Sequence, residues 1–297
     1  MFNFKMLMKC CCDSTSTNEE PIPEKPKIAK PELVNLRLND IIQGVKPDPK
    51  PIEESILAAP SPILFNELPQ YPKLKLRIVE SSSVPPNTVY SISPSGLENS
   101  RRGKQDFKTF IGSTWEDKGE IINDIAIEES GQGMGNQHLL IKFIQSASKY
   151  TITDLGDGSG TFVKIATELV LKDGFIVSFG NSHMKVVSIG SNDQKLIIKF
   201  LEGPKINEEY IFTAQDQMVI VGRMTDCRIR FDDTNLSRYQ CHFSFQEGRG
   251  WVLKDGINNK GSTNGTWIYV EEEFEICDKM MFKAGKTLFE VNIEEYS

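Results

Sequence analysis

Short runs that alternate between apolar and polar residues follow one another along the chain after residue 72. In the second half they include residues 218–221, 241–245 and 251–253, and glycine, asparagine and aspartate stand between the runs. A period of two with turn-forming residues at each end predicts half-buried β-strands joined by short turns. The pattern predicts an all-β fold, and many short strands of this kind are typical of a β-sandwich.

The same succession of runs occurs twice. Residues 73–190 and residues 193–297 each open with an apolar strand, and Asp154 and Thr161 of the first copy correspond to Asp255 and Thr266 of the second. Copies of this length indicate the duplication of a whole domain, since the units of a solenoid are shorter. We therefore predict two tandem β-sandwiches with these boundaries, and the short connection near residues 188–194 predicts some fixed mutual orientation.

Residues 1–72 differ in composition from the rest of the chain. Eleven of the fifteen prolines lie between Pro21 and Pro72. Proline lacks the backbone N–H that helices and sheets need, so this segment is predicted to be a disordered, proline-rich tail.

A cluster of three cysteines, Cys10, Cys11 and Cys12, follows an apolar and basic stretch at the start of this tail. Adjacent cysteines in such a setting are candidate S-acylation sites, and two or three acyl chains would hold a protein on a membrane. The alternative is an unmodified cysteine-rich tail. Phe2 stands where N-myristoylation requires glycine, so that modification is excluded.

Composition narrows the classes of function. The net charge of −7 argues against nucleic acid as a main partner. The six cysteines have the spacing of neither a disulfide framework nor a zinc site, and no apolar run approaches a membrane span. We therefore expect a cytoplasmic protein, with membrane association through the N-terminal cysteines as an added possibility, and we expect no metal and no cofactor.

Three polar islands fall at the strand ends of the second copy: residues 221–223, 235–238 and 261–267. They bring an arginine, a serine and an asparagine onto loops at one end of the predicted scaffold. Arginine offers five N–H donors, serine a hydroxyl and asparagine a carboxamide, so together they would form a clamp for an oxyanion.

In order and spacing, these islands resemble the forkhead-associated (FHA) domain, a β-sandwich that binds phosphothreonine peptides. The family pattern is Gly-Arg, then Ser-Arg-x-His, then an aromatic-x-Leu-x-Asp strand, then Ser-x-Asn-Gly-Thr. The matching residues of this chain are Gly222-Arg223, Ser237-Arg238, Trp251 to Asp255 and Ser262 to Thr266. Gln240 departs from the pattern, because it stands where the family has a histidine that supports the loop.

The resemblance implies a role for each residue of a phosphopeptide site: Arg223, Ser237, Arg238, Thr263 and Asn264. Arg223 and Ser237 would donate to the phosphate, Arg238 would reach the phosphate or a flanking side chain, Asn264 would hold the peptide backbone, and Thr263 would add a further contact. From the residues alone, the alternatives are a surface arginine paired with Asp226, a turn-stabilising serine, a solvated Arg238 and an ordinary Asn-Gly turn.

The first copy keeps the strands and loses this set of residues. Gly112-Ser113 replaces Gly-Arg, residues 135–138 keep only His138 of the Ser-Arg-x-His pattern, and Ser159-Gly160-Thr161 replaces Asn-Gly-Thr. The cationic donor and the serine hydroxyl are both lost, so residues 73–190 are predicted to form a degenerate FHA-like sandwich. The basic run at residues 101–104 is either a substitute anion site or a solvated loop between strands.

Two functions remain in view. The first is a non-enzymatic adaptor that binds phosphothreonine-containing proteins through its second FHA domain. The alternative is a structural component of a large assembly that uses both sandwiches as rigid modules without any need for phosphate. The sequence has none of the catalytic motifs of P-loop NTPases, zinc proteases or serine hydrolases, so an enzyme is not expected.

Overall fold

A computed structural model describes residues 71–129, 133–190 and 194–294. In this part of the chain the regular structure consists of β-strands and two short 3-10 turns, Gln145–Ala147 and Ala214–Asp216, with no α-helix. The predicted all-β class is confirmed. Residues 1–70, which include the cysteine cluster and nearly all of the predicted tail, lie outside the described residues.

The first sequence copy contributes thirteen strands to the described structure. They are β1 (Lys73–Glu80), β2 (Val89–Ser93), β3 (Gly96–Leu97), β4 (Lys108–Gly112), β5 (Glu116–Asp117), β6 (Glu120–Ile121), β7 (Ile125–Ala126), β8 (Leu139–Ile144), β9 (Lys149–Asp154), β10 (Thr161–Lys164), β11 (Leu169–Val170), β12 (Ile176–Phe179) and β13 (Ser182–Ile189).

The second copy contributes ten strands between residues 194 and 294. They are β14 (Leu196–Glu202), β15 (Glu209–Phe212), β16 (Met218–Gly222), β17 (Ile229–Arg230), β18 (Cys241–Gln246), β19 (Gly250–Asp255), β20 (Trp267–Tyr269), β21 (Phe274–Glu275), β22 (Met281–Ala284) and β23 (Thr287–Glu294). The long strands alternate between buried and less buried residues, as the sequence pattern predicts.

One large sheet runs through both halves of the molecule. Its eleven strands have the order β15-β14-β13-β12-β20-β10-β22-β23-β1-β2-β3. Two five-stranded sheets accompany it, β21-β9-β8-β4-β7 with strands mainly from the first copy and β11-β19-β18-β16-β17 with strands mainly from the second. The order of the large sheet is nearly symmetric about the pair formed by β10 and β20, which are equivalent strands of the two copies.

The sequence predicts that each copy closes its own sandwich, and here the structure differs. The last three strands of the first copy, β11, β12 and β13, pair with β19, β20 and β14 of the second copy. In return, β21, β22 and β23 pair with β9, β10 and β1 of the first copy. The two copies have therefore exchanged their C-terminal strands, and each sandwich is completed by the other copy.

The short connection after β13 favours this exchange. β13 turns directly into β14 as an antiparallel hairpin in which Ile189 lies opposite Leu196, and a short loop costs little entropy to close. The final strand β23 then completes the other half by pairing with β1 from Lys73↔Glu294 to Ile78↔Phe289. An ion pair between Arg77 and Glu290 lies across the same two strands, with Nε 2.9 Å from Oε2.

Buried aromatic side chains connect the sheets within each half. Phe231 packs edge-on against Phe179 of β12 and against Phe200 of β14, with ring centroids 5.7 Å apart in both pairs. In the other half, the Tyr150 hydroxyl of β9 donates to the carbonyl of Ile92 on β2 at 3.2 Å. The core of the half that contains Phe231 is thus built from strands of both copies, and these strands support its loops.

Candidate functional site

The loop that carries Arg223 follows β16 and is fixed by its backbone. The N–H of Arg223 donates to the carbonyls of Ser237 and Arg238 at 3.3 and 3.1 Å. A Cβ atom at Gly222 would lie 2.3 Å from the Arg238 carbonyl oxygen, so only glycine permits this approach. Gly222 therefore brings the Arg223 loop against the Ser237 loop and leaves the exposed guanidinium side chain at the surface.

The side chain of Ser237 joins two loops. Its Oγ accepts the backbone N–H of Thr263 at 2.8 Å and lies 3.3 Å from the Thr263 hydroxyl. The structure thereby places Arg223, Ser237 and Thr263 around one point of the surface, although forty residues of sequence separate the first from the last.

Asp255 organises the loop between β19 and β20. Its carboxylate accepts the backbone N–H of Ser262 at 2.8 Å and the hydroxyls of Ser262 and Thr266 at 2.7 Å each. Three bonds to one charged acceptor are stronger than bonds between neutral groups. The Asp255 carboxylate therefore holds the loop at Ser262, before Thr263, and at Thr266, after it.

Gln240 takes over the supporting role for which the family pattern has histidine. The side chain is 2% exposed. The two hydrogens of its Nε2 are shared among three acceptors, Ser262 Oγ at 2.9 Å, the Gly265 carbonyl at 3.0 Å and Thr266 Oγ1 at 3.2 Å, while its Oε1 accepts the Ser237 N–H at 3.4 Å. The amide thus links the two loops without a group that titrates near neutral pH.

Replacing Gln240 with alanine is expected to lower the free energy of unfolding by about 1–2 kcal/mol, because buried donors and acceptors lose their partner. Peptide binding should weaken as well, since the Ser237 and Thr263 loops lose a connection. Denaturant unfolding of the full chain measures the first effect. Gln246→Ala serves as the control, because Gln246 ends the strand β18 that follows Gln240 and its side chain accepts a hydrogen bond from the exposed Arg249. Equal stability of the two variants would show that Gln240 does not support these loops.

The remaining two predicted residues have different surroundings. Asn264 is exposed, its amide nitrogen lies 3.5 Å from the Asn235 carbonyl, and its own carbonyl accepts the indole N–H of Trp267 at 3.0 Å. Arg238 is exposed, and its backbone carbonyl accepts the N–H groups of Arg223 and Met224. Both residues lie on the loops that surround Ser237.

A cleft of about 690 Å³ opens where these loops meet. Four of the five predicted site residues line it, namely Arg223, Ser237, Arg238 and Thr263, and Asn264 lies beside it. Sequence reasoning did not include Lys260, Tyr239 and Ile257, which line the same cleft. Lys260 directly precedes the motif at residues 261–267, and this neighbouring position could have identified it as a candidate site residue.

The cleft is electropositive. Arg223, Arg238 and Lys260 line it, and none of its lining residues is a carboxylate. Within the described part of the chain these three cations form no ion pair, so the predicted alternative of an Arg223–Asp226 pair is not seen. Asp226 instead accepts the Tyr239 hydroxyl at 2.9 Å, and that hydrogen bond raises the pKa of Tyr239.

Two thiols beneath the site are neutral. Burial raises the pKa of the Cys241 thiol far above its usual range and raises that of Cys227 as well. They belong to the core of this half. Among the described residues, no group of three or more histidine, cysteine, aspartate or glutamate side chains is placed to hold a metal ion.

The corresponding loops of the first copy approach each other so closely that two positions have room only for glycine. A Cβ atom at Gly135, the position equivalent to Ser237, would lie 2.5 Å from the backbone and the side chain of Asp157. A Cβ atom at Gly158, equivalent to Thr263, would lie 2.5 Å from Nδ1 of His138. Ser113 stands in place of Arg223, and the Asp157 carboxylate, which accepts the Gln137 N–H at 3.4 Å, adds a negative charge beside these loops.

Restoring the missing residues of the first copy is therefore expected to fail. The double variant Ser113→Arg, Gly135→Ser should gain no phosphopeptide binding, because the new side chain at position 135 has no room beside Asp157. The measurement is peptide titration in an Arg223→Ala background, which removes the second copy's contribution. Micromolar binding in that background would contradict the closed geometry of the first site.

The comparisons match both sequence copies to one family. The FHA domain family model matches residues 110–180 and 219–277, so the chain contains two tandem FHA segments. FHA domains are known as phosphothreonine-dependent interaction modules. No curated protein matches the chain.

A solved structure, described as a structural and functional analysis of phosphothreonine-dependent FHA domain interactions, is similar to part of the chain. It is 18% identical and covers 30% of this chain and 88% of its own, with a TM-score of 0.15. A likeness at this level carries no argument about the site.

Proposed function

We propose that the chain is a non-enzymatic adaptor that binds phosphothreonine-containing proteins in the cleft of its second FHA segment. The observation that carries the proposal is the convergence of Arg223, Ser237 and Thr263 on one cleft, where the Arg223 guanidinium pairs with no carboxylate of the described residues. A phosphate group carries about −1.5 to −2 charges at neutral pH and binds best to cationic N–H donors.

Each residue has a defined task in this proposal. Arg223 neutralises the phosphate and donates to its oxygens, and the hydroxyls of Ser237 and Thr263 add donors from two loops that are already joined. Asn264 holds the peptide backbone, and Arg238 contacts the phosphate or a flanking residue. Because Gln240 and Asp255 fix these loops before a ligand arrives, little conformational entropy remains to be lost on binding.

The experiment is a binding screen of the full chain against a degenerate phosphothreonine peptide library and its unphosphorylated counterpart. Phosphate-dependent binding with a Kd in the micromolar range, about −8 kcal/mol, is the expected result. The full chain is needed because β11, β12 and β13 complete the sandwich that carries the cleft, so residues 193–297 lack part of it.

The alternative, a structural component that does not depend on phosphate, rests on a different observation. The eleven-stranded sheet joins both halves and ends at the edge strand β15, where Ile211 is 53% exposed. An edge strand can pair with a strand of another protein. Binding partners that are retained after phosphatase treatment and lost on Ile211→Lys would favour this function.

We also propose that the protein is cytoplasmic and that S-acylation of Cys10, Cys11 and Cys12 attaches it to a membrane. The support is the sequence alone, because these cysteines lie outside the described residues. No helix in the described part of the chain is long and apolar enough to cross a membrane. Hydroxylamine-sensitive palmitate labelling in native cells is expected, and its absence would rule the attachment out.

A further inference from the structure

The turn formed by Asn264 and Gly265 is covered by a residue of the first sequence copy. Strands β10 and β20 lie side by side, and Lys164 of β10 is opposite Trp267 of β20. A Cβ atom at Gly265 would lie 2.7 Å from Cε of Lys164 and 3.4 Å from its Cδ, so the lysine stem packs directly on this glycine. The first copy therefore contributes to the surroundings of the Asn264 turn, although Lys164 precedes Asn264 by one hundred residues.

Trp267 connects this lysine to Asn264. The indole N–H of Trp267 donates to the backbone carbonyl of Asn264 at 3.0 Å, and the tryptophan is 8% exposed. Nζ of Lys164 lies 6.0 Å from the centroid of the indole ring, and Nζ of Lys283 lies 4.8 Å from it. Cations at these distances are attracted to the face of an aromatic ring. The ring that holds the Asn264 carbonyl is thus itself held by two lysines.

The backbone links the same elements. The N–H of Ile165, the residue after Lys164, donates to the carbonyl of Thr266 at 2.9 Å. Gly265 has a φ of 78°, a left-handed conformation that glycine adopts without strain. The close approach of the lysine stem is a second reason why this position has no side chain. The turn that carries Asn264 is therefore built to receive Lys164.

The equivalent place in the first copy is filled by a different residue. Gly160 corresponds to Gly265, and a Cβ atom there would lie 2.9 Å from Cε2 of Tyr269, which stands three residues after Thr266 as Lys164 stands three residues after Thr161. The Tyr269 hydroxyl donates to Oδ1 of Asp154 at 3.2 Å. A tyrosine ring held by a hydrogen bond thus covers the turn of the copy that lacks the clamp, whereas an unbranched lysine stem covers the turn of the copy that keeps it.

We propose that Lys164 is a positioning residue of the phosphothreonine cleft: its stem packs on Gly265 and, together with Trp267, fixes Asn264 in the place where it holds the ligand backbone. This inference rests on the proposed function of the cleft. It gives the first FHA segment, which lacks the arginine and the serine of the clamp, a task in binding by the second. Because Asn264 is already oriented before the ligand arrives, less conformational entropy is lost on binding.

The variant Lys164→Ala removes the stem and should weaken binding of a library-selected phosphothreonine peptide by about 2- to 10-fold, because Asn264 must then be ordered by the ligand. Lys164→Met keeps an unbranched side chain that reaches as far as Cε but has no charge, so it should bind nearly as well as the unchanged chain. Lys172→Ala, which removes an exposed lysine that follows β11 in the same copy, is the control and should leave the affinity unchanged.

The experiment combines isothermal titration of the full-length variants with NMR measurement of solvent exchange at the Trp267 indole N–H in the absence of ligand. That proton is donated to Asn264, so it reports the turn directly, and it should exchange faster in Lys164→Ala than in Lys164→Met. Unchanged peptide affinity in Lys164→Ala would overturn the proposal, whatever the exchange rate. A loss of affinity with unchanged indole exchange would also overturn it, and so would equal losses in the alanine and methionine variants.

The titration of the unchanged chain separates this inference from the function on which it rests. If the unchanged chain binds the library peptide through Arg223 and Lys164→Ala binds it equally well, the positioning role is wrong and the adaptor function stands. If no phosphothreonine peptide binds the unchanged chain, both proposals fail.

Discussion

Replacing Phe289 with alanine is expected to lower the free energy of unfolding by about 3–5 kcal/mol and to loosen the first half of the molecule, although Phe289 belongs to the second sequence copy. Phe289 is fully buried, lies opposite Ile78 of β1 and stacks on Phe282 with ring centroids 4.6 Å apart. Its loss leaves a cavity beside β1. The destabilisation should therefore appear in β1, the strand of the first copy with which β23 pairs, and not in the strands of the second copy.

The measurement is hydrogen exchange of the full chain, read by mass spectrometry for each strand. Phe289→Ala should reduce protection of β1 and β2. Met184→Ala is the matched variant, because Met184 occupies the equivalent position of β13 and pairs with Phe200 of β14, so it should reduce protection of β14 and β15 instead. If Phe289→Ala loosened β14 and β15 and spared β1, the strand exchange would be refuted.

Replacing Arg223 with alanine should weaken phosphothreonine peptide binding by about 1.5–3 kcal/mol, a loss of roughly 10- to 150-fold. The guanidinium is the cation of the clamp, and the neutral donors of Ser237 and Thr263 do not replace its charge. Because the side chain is exposed and has no ion pair in the described structure, its removal should leave the stability of the fold nearly unchanged.

Isothermal titration with a library-selected peptide measures this loss, and denaturant unfolding of the same variant measures stability. Arg228→Ala is the control, since Arg228 is an exposed arginine a few residues further along that does not line the cleft. Equal losses for the two variants would mean that Arg223 acts only through the general charge of the surface. An unchanged affinity in Arg223→Ala would place the phosphate elsewhere.

The local structure of this protein could be predicted from its sequence to a large extent. The alternation of residues 73–80 and 287–294 appears as alternating burial in β1 and β23, and the motif loops meet around one cleft. These features depend on residues close in sequence or on a motif with fixed spacing, so the pattern contains enough information to predict them.

The partner of each C-terminal strand could not be predicted in this way. Residues 182–189 and 287–294 both alternate, and each would fit beside β1 or beside β14. Because the copies are duplicates, the hydrophobic pattern is satisfied by both arrangements. The structure distinguishes them through the short connection between β13 and β14, a feature of chain length that periodicity does not contain.

The supporting role of Gln240 could also not be predicted from the sequence motif. Gln240 stands where the family has a supporting histidine, and its amide contacts four partners that link the Ser237 loop to the Gly265 region. An amide has two donor hydrogens and an acceptor oxygen, so it can replace a neutral imidazole when the surrounding groups are placed to suit it. That placement is a property of the folded loops.

The most direct test of the proposed phosphothreonine site is an NMR titration of the isotope-labelled full chain with a phosphothreonine peptide. The backbone N–H signals of Arg223, Ser237 and Thr263 should shift in a saturable, phosphate-dependent manner, and those of Ser113 and Gly135 in the first copy should stay in place. Shifts confined to the first copy, or identical shifts with the unphosphorylated peptide, would contradict the account.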